Sequence, residues 1–194
     1  MGVDRQRVLG IDPGTLKVGW AIVDSLGINS IQRSDSGCLV LGKSTAPIAD
    51  RLFQLHLQLR EIIDRFRPDV LAIESAFFGD NARSALRIGE SRGVVLMLAA
   101  EFGLEVDEIP PATIKRRIAG NGRATKEQVY QMTLQHLQCN DFSPASEDES
   151  DAVAIALCYL HEGLAPKATS KNKSKNKSNR GKGGAKLPPG STFQ

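Results

Sequence analysis

The sequence predicts an α/β domain in which a five-stranded mixed sheet carries helices on both faces. The first observation is the order of the elements: three strand-like segments come in succession, helix and strand then alternate, and helices close the domain. The second is periodicity, because apolar residues alternate over 17–24 but recur at spacings of three and four over 47–66. Together they favour a mixed sheet over an all-helical or all-β domain.

The amino-terminal half is predicted to hold four strands and one long helix. The strands lie at about 7–12, 17–24, 30–41 and 69–74, and the helix at about 47–66. The turn signal Pro13-Gly14 ends the first strand, and Pro68 ends the helix. In the second strand Trp20 shares a face with apolar neighbours, which predicts that it packs in the core.

The carboxyl-terminal half is predicted to be mainly helical. Helices are expected at about 81–102, 112–119, 125–138 and 147–162, with one short strand at 105–109. The first of these helices carries a stripe of small residues, Ala82, Ala85, Gly89 and Gly93. Such a stripe lets another backbone approach closely, either within the domain or from a second copy of the chain.

From Pro166 onward the composition changes. This stretch has no acidic residue and no Ile or Val, so it cannot bury enough apolar area to offset the entropy of ordering. We therefore expect a folded domain over 1–165 and a disordered Lys-rich tail over 166–194. The tail holds eight of the 25 basic residues, which leaves 17 against 22 acidic residues in the domain. It is either a solubilising extension or a non-specific phosphate-binding arm.

Cysteine, histidine and hydropathy patterns exclude several classes of protein. The three cysteines have no CxxC spacing, which predicts a reducing compartment without disulfides. The three histidines form no HxxxH pair, which argues against a zinc site. No apolar run approaches ~18 residues, and the first residues lack a signal-peptide core. We expect a soluble cytoplasmic protein that does not contact a membrane.

Four acidic residues are predicted to meet at one end of this fold: Asp12, Glu74, Asp148 and Asp151. Asp12 and Glu74 end two strands, and their carboxylates emerge side by side if those strands are neighbours. Asp148 and Asp151 lie three apart, on one face of a helix. Hard divalent cations such as Mg²⁺ prefer oxygen ligands, so four converging carboxylates indicate a metal site.

A structural alternative applies to these acids. Carboxylates beside a core can also be satisfied by hydrogen bonds within the protein. The segment Ser146-Glu147-Asp148-Glu149 fits a capping box, and acids near a helix amino terminus are favoured without any metal. This alternative is strongest for Asp148 and weaker for Asp151, which begins the apolar stretch of its helix.

Four blocks of the sequence resemble the RuvC family of Holliday junction resolvases. They are LGIDPG at 9–14, AIESAF at 72–77, NARSALRIGESRG at 81–93 and DESDAVAIA at 148–156. The resemblance runs from about residue 7 to 162, in the family's order, and the predicted elements follow the ribonuclease H-like pattern. It implies a homodimer that resolves four-way DNA junctions in recombination and repair by paired, symmetric nicks. Contacts with the junction branch-migration complex are a further expectation of the same resemblance.

The resemblance also implies roles for individual residues. Two Mg²⁺ ions per subunit, roughly 3.5–4 Å apart, would clamp the scissile phosphate, and Mn²⁺ could replace them. Asp12 would bridge the ions, while Glu74, Asp148 and Asp151 complete their ligand shells. Lys115 and Lys126 match family lysines that contact DNA beside the active site and assist catalysis.

Further residues match the family's contacts with junction DNA. Phe77 stands where the family places an aromatic that stacks at the junction centre, although Phe78 beside it is the alternative. Arg83, Arg87 and Arg123 complete the expected DNA-binding set. For Arg123 a solvated basic surface explains the charge equally well.

Three other functions compete with this interpretation. The segment DPGT at 12–15 also resembles a phosphate loop of actin-like ATPases, but those enzymes need two such domains. A second alternative is a smaller ribonuclease H-like nuclease that acts on RNA or on other branched nucleic acid. A third is a junction-binding protein without catalysis, against which the four intact acids argue.

Overall fold

In the computed structural model of the chain the described residues are 5–27, 30–75, 82–137 and 142–164, without the side chains of 82, 83, 163 and 164. Within these ranges the strands are β1 (Gln6–Asp12), β2 (Lys17–Gly27), β3 (Ser30–Val40), β4 (Val70–Glu74) and β5 (Glu105–Ile109). They form one sheet in the order β3-β2-β1-β4-β5. The pairs β1–β2 and β2–β3 are antiparallel, and β1–β4 and β4–β5 are parallel. The predicted five-stranded mixed sheet is confirmed.

Helices cover both faces of this sheet, as the sequence predicted. The helices are α1 (Ile48–Phe66), α2 (Ala82–Glu101), α3 (Pro111–Ala119), α4 (Lys126–His136) and α5 (Glu147–Leu164). Side chains of α1 and α2 build the core on one face, and those of α3, α4 and α5 build the core on the other. Trp20 packs at the edge of the α1 side, with its ring 5.8 Å from that of Phe66.

Alternation along β1 decides which face each side chain joins. Leu9 and Ile11 are fully buried on the α1 side, whereas Val8 is buried on the α5 side. Burial of one such side chain stabilises the fold by about 1.5–3 kcal/mol. A shift of the strand register by one residue would turn these side chains to the opposite face and lose several such contributions. Asp12 has the same parity as Val8 and therefore emerges on the α5 side, at the carboxyl end of β1.

Two glycines allow α5 to lie directly on β1 and β2. A Cβ atom at Gly10 would stand 2.9 Å from Cβ of Ala156 and would overlap the Ala152 carbonyl oxygen. A Cβ atom at Gly19 would stand 3.0 Å from the Glu149 nitrogen and would overlap the backbone of the preceding residue. Because Gly19 pairs with Asp12, this close packing brings the amino terminus of α5 to the end of β1.

The amino terminus of α5 is fixed by a modified capping arrangement. The Glu149 N–H donates to Ser146 Oγ at 3.2 Å, which is half of the predicted capping box. The Glu149 carboxylate accepts from the Ala145 N–H at 2.8 Å and from Ser36 Oγ at 2.6 Å. The predicted capping box requires the Glu149 carboxylate to accept from the Ser146 N–H, and this half of the prediction is wrong. The carboxylate turns inward instead and ties α5 to β3.

Some predictions fall outside the described residues. The tail 166–194 and both Phe77 and Phe78 belong to this group. None of the helices in the described ranges has the length and apolar composition needed to cross a lipid bilayer.

Candidate active site

Asp12 and Glu74 stand next to each other at the carboxyl ends of adjacent parallel strands. The register places Ile11 opposite Ile73, so the following residues, Asp12 and Glu74, are neighbours across the same strand pair. Both side chains are half-buried. The sequence predicts that these two carboxylates emerge side by side if their strands are neighbours. In the structure β1 and β4 are neighbours in this register.

Asp151 completes a cleft of about 310 Å³ between the sheet end and the helices α3, α4 and α5. We call it the carboxylate cleft. Its lining residues are Asp12, Glu74, Pro111, Ile114, Lys115, Lys126, Val129, Asp151, Ala154 and Ile155. Asp148 lies one turn earlier on α5, outside this lining, with Oδ2 3.9 Å from Cys38 Sγ.

The acids of the cleft raise one another's proton affinity. Burial, followed by the charges of Asp151, Glu74 and Asp148, raises the pKa of Asp12 to about 7 from an ordinary 3.8. Burial and the charge of Asp151 also raise the pKa of Glu74, against the opposing effect of Lys115 and Lys126. The carboxylates therefore interact through a medium that screens them poorly, and a bound cation would relieve their repulsion.

Lys126 is the counter-charge on the outer side of the cleft. Its Nζ donates to Asp151 Oδ2 at 3.0 Å and to Glu147 Oε2 at 3.3 Å. The hydrogen bond to Asp151 raises the pKa of Lys126, so its ammonium group stays charged at neutral pH. Lys126 opens α4, where Thr125 and Gln128 form a capping box that fixes the start of the helix.

Comparison with known proteins decides the family. Residues 8–159 match the model of the family described as crossover junction endodeoxyribonuclease RuvC. The chain belongs to the RuvC family. A RuvC from Cereibacter sphaeroides is 38% identical over 161 residues, covering 80% of this chain and 89% of that relative. A RuvC from Chloroflexus aurantiacus is 41% identical over 155 residues, covering 80% and 93%.

Solved structures agree with this assignment. Thermus thermophilus RuvC in complex with a Holliday junction substrate superposes with a TM-score of 0.75 at 31% identity, covering 82% of this chain and 97% of that one. The yeast mitochondrial Holliday junction resolvase Ydc2 superposes with a TM-score of 0.62 at 14% identity, covering 80% of this chain and 78% of that one. The second comparison supports the fold only. The ribonuclease H-like fold expected from the sequence is that of these structural neighbours.

The donor set of the cleft suits a hard divalent cation. Carboxylate oxygens are the ligands that Mg²⁺ and Mn²⁺ prefer. The raised pKa of Asp12 means that its charged form is disfavoured, and a bound cation would stabilise that form. Among the described residues no group of three or more His, Cys, Asp or Glu side chains is already arranged around a common cation position. Asp151 accepts a hydrogen bond from Lys126, and Asp148 lies near Cys38.

The remaining predicted residues lie outside the carboxylate cleft. Arg87 is on α2, where it pairs with Glu90 at 3.0 Å. Arg123 is exposed in the turn between α3 and α4. The side chain of Arg83 and the whole of Phe77 lie outside the described residues. The structure thus brings together Lys115, Lys126 and three of the acids, with Asp148 at the margin.

Sequence reasoning missed two residues that shape the site. Arg92 of α2 is buried and donates to the main-chain carbonyl of Glu74, and Glu149 is buried beneath the start of α5. The sequence did contain a signal for Arg92. It lies among apolar and small residues of α2, and a buried charge there requires a partner elsewhere in the fold. The direction of Glu149 had no local signal, since Ser36 is 113 residues away in sequence.

Proposed function

We propose that this RuvC-family protein is a structure-selective endonuclease that cuts four-way DNA junctions by metal-dependent hydrolysis of phosphodiester bonds, in DNA recombination and repair. One structural observation carries the chemistry: Asp12, Glu74 and Asp151 line the same cleft, where burial and the charges of the neighbouring acids raise the pKa of Asp12 to about 7. Relatives that share about 40% of their residues with this chain are crossover junction endodeoxyribonucleases by name.

Asp12, Glu74, Asp148 and Asp151 are the proposed metal ligands, with two Mg²⁺ ions per subunit and Mn²⁺ as a substitute. When bound, the metal supplies positive charge for the scissile phosphate and lowers the pKa of an attacking water. Asp12 is the proposed bridging ligand because the other three acids all act on it. Asp148 can contribute after a turn of its side chain away from Cys38, which makes a weak contact at 3.9 Å.

Lys126 and Lys115 are the proposed cationic groups for DNA. The side chain of Lys126 is 65% exposed, so its ammonium group can leave Asp151 for a phosphate oxygen. That exchange frees Asp151 to act as a ligand and places positive charge where the transition state gains negative charge. Lys115 also lines the carboxylate cleft, and its charge acts on Glu74 from α3.

The wider DNA surface is proposed from charge and from the sequence blocks. Arg123 lies beside the amino terminus of α4 and is exposed, which suits a phosphate contact next to Lys126. Arg83 and Arg87 of α2, together with Phe77 as the stacking residue, are retained as proposals from the resemblance. We propose that the enzyme works in the cytoplasm, and contacts with the branch-migration complex remain an expectation.

We propose a homodimer built on α2. Among the described residues a Cβ atom at Gly89 or Gly93 would meet no atom within 4 Å beyond the helix's own backbone, so these two glycines leave room for a second helix. Leu86 and Met97 continue the same helical face and are 64% and 53% exposed. A two-fold contact through this face would present two identical cleavage sites to a four-way junction, which has its own two-fold symmetry.

A single assay separates the proposed function from its rivals. The protein is incubated in the presence of ATP with a mobile four-way junction, a linear duplex and an RNA–DNA hybrid, each with and without Mg²⁺. We expect paired, symmetric nicks confined to the junction and dependent on the metal. Cleavage of the hybrid would favour a ribonuclease, junction binding without nicks would favour a non-catalytic protein, and ATP turnover without nicks would favour an ATPase. Each of those three results contradicts the proposal.

A further inference from the structure

Arg92 is a buried arginine that joins α2 to the sheet end that carries Glu74. Its side chain is only 8% exposed. One guanidinium nitrogen donates to the main-chain carbonyl oxygen of Glu74, and the other donates to the carboxylate of Glu108 on β5. Both partners are distant from Arg92 in the sequence, and both contacts lie at the carboxyl end of β4.

The Glu74 carbonyl needs this donor because the sheet cannot supply one. The Ser75 N–H donates to the Ile109 carbonyl at 2.9 Å, so the main-chain N–H and C=O of Ser75 point toward β5. Because successive residues of a strand point these groups in opposite directions, those of Glu74 point toward β1. With Ile11 opposite Ile73, the residue in line to donate to the Glu74 carbonyl is Pro13, which directly follows β1. Proline has no N–H, so the regular ladder ends at this carbonyl.

The same contact explains why an arginine is tolerated in the interior. A charge taken out of water is costly unless it is paired and hydrogen-bonded. Glu108 provides the opposite charge, and its half-exposed carboxylate keeps part of its hydration. Two charge-assisted hydrogen bonds from one planar group also fix the orientation of the strand end, which a lysine cannot do with the same reach.

We infer that Arg92 is a positioning residue for metal binding: it fixes the end of β4 and thereby holds the Glu74 carboxylate beside Asp12. The inference rests on the proposed function, in which Glu74 is a metal ligand. Arg92 itself touches neither the cation nor the DNA, because it is buried on the α2 side of the sheet end. Its effect is therefore expected in the affinity for the metal before any effect on DNA.

The test compares Arg92→Met and Arg92→Lys with the wild-type full-length protein in the absence of DNA. Mn²⁺ binding is measured by titration calorimetry, at a temperature where circular dichroism reports each protein as folded. We expect Arg92→Met to weaken Mn²⁺ binding by about 10- to 100-fold, the range typical of residues that orient a metal ligand. Arg92→Lys keeps the charge and one hydrogen bond, so it should recover part of the loss.

Arg60→Met is the matched control. Arg60 of α1 also bonds a carboxylate across helices, that of Glu101 on α2, but it lies outside the carboxylate cleft and is 44% exposed. This variant should bind Mn²⁺ within about twofold of wild type. A merely structural role for Arg92 would lower the melting temperature and leave the Mn²⁺ affinity of the folded protein unchanged.

Junction binding and cutting give the second readout. Junction affinity without divalent metal should stay near the wild-type value in both Arg92 variants, while the Mg²⁺ concentration that half-saturates cutting should rise. Wild-type affinity for Mn²⁺ in both variants would overturn the inference, and Arg92→Lys alone decides if Arg92→Met does not fold. Failure of the wild-type protein to cut junctions would contradict the proposed function instead, and the Mn²⁺ titration would still decide the role of Arg92.

Discussion

Burial and the charges of the other three acids raise the pKa of Asp12, which makes the stability of the fold depend on pH. Its pKa of about 7 in the fold exceeds its ordinary 3.8, so the folded protein binds a proton there more tightly than the unfolded chain does. The resulting contribution to stability is complete below about pH 4 and is lost as the pH rises through about 7. Above that, the metal-free protein carries an unrelieved carboxylate.

Asp12→Asn should therefore stabilise the metal-free protein at high pH. Since one pKa unit corresponds to about 1.4 kcal/mol, we expect a gain of roughly 1–4 kcal/mol at pH 8 and a gain near zero at pH 4. Thermal unfolding in EDTA, followed by circular dichroism at both pH values, measures this. Mg²⁺ should raise the melting temperature of the wild type more than that of the variant.

The same variant should bind four-way junctions but fail to cut them. Asp50→Asn is the control, because Asp50 is exposed on α1 outside the carboxylate cleft. An equal gain in melting temperature at pH 4 and pH 8 would contradict the charge argument. Cutting at the wild-type rate by Asp12→Asn would contradict its assignment as a metal ligand.

Lys126 combines a weak structural role with a proposed catalytic one. Its ion pairs are exposed, and such pairs contribute about 0–1 kcal/mol, so Lys126→Met should change the stability little. Junction cutting should fall by about 10²-fold or more, because the cation beside the scissile phosphate is lost. Single-turnover cutting rates measure this, with exposed Lys43→Met as the control. A rate loss equal to that of the control would remove Lys126 from the reaction.

At the scale of elements, the contact of α5 with the sheet places half of the carboxylates. Gly19→Ala would put a Cβ atom 3.0 Å from the Glu149 nitrogen and into the backbone before it, so α5 must move outward. Overpacking of this kind costs typically about 1–3 kcal/mol, and cutting should be lost at temperatures where the variant is still folded. Chemical denaturation and junction cutting measure the two effects.

Gly122→Ala is the matched control, because its Cβ atom would stand 3.3 Å from the Ala112 carbonyl oxygen in the turn before α4. It should cost less stability and keep most of the activity. If Gly19→Ala cut junctions as fast as Gly122→Ala, the close contact of α5 would not be needed to place Asp148 and Asp151.

Much of this element arrangement was predictable from the sequence, for a physical reason. Period-two alternation puts Asp12 and Glu74 on a fixed face of their strands, and that face follows from burial of the apolar residues around them. The contacts of Arg92 with Glu74 and of Glu149 with Ser36 could not be predicted in the same way. They join segments that are distant in sequence, and each depends on a tertiary distance rather than a local pattern.

At the scale of the whole molecule, charge is divided between the domain and the sequence after it. Residues 166–194 hold seven Lys and one Arg and no acid. If they form a phosphate-binding arm, their removal should lower the salt dependence of junction binding, because each phosphate contact contributes about 0.9 to the log–log slope. Binding measured from low to moderate salt tests this, and the cutting rate on saturated junctions should not change. An unchanged slope would leave these residues without a role in DNA binding.

If the protein dimerises through the exposed face of α2, that face is needed for the two nicks to be made together. Leu86→Glu places two like charges near the two-fold axis of an isologous contact, so we expect a folded monomer. Phe53→Glu is the control, because Phe53 is exposed to a similar degree, 58%, but lies on α1. Sedimentation velocity reports the oligomeric state, and a supercoiled plasmid with a cruciform reports pairing of the nicks.

A dimer that nicks twice in one encounter converts this plasmid to the linear form, whereas uncoordinated nicking accumulates the nicked circle. Wild type and Phe53→Glu should therefore give mainly linear product, and Leu86→Glu should give nicked circles at a reduced rate. The space that the described residues leave beside Gly89 and Gly93 is the reason to place the axis here, since it allows two helices to approach closely. A dimeric Leu86→Glu that still produces linear plasmid would mean that the two cleavage sites are paired through another surface.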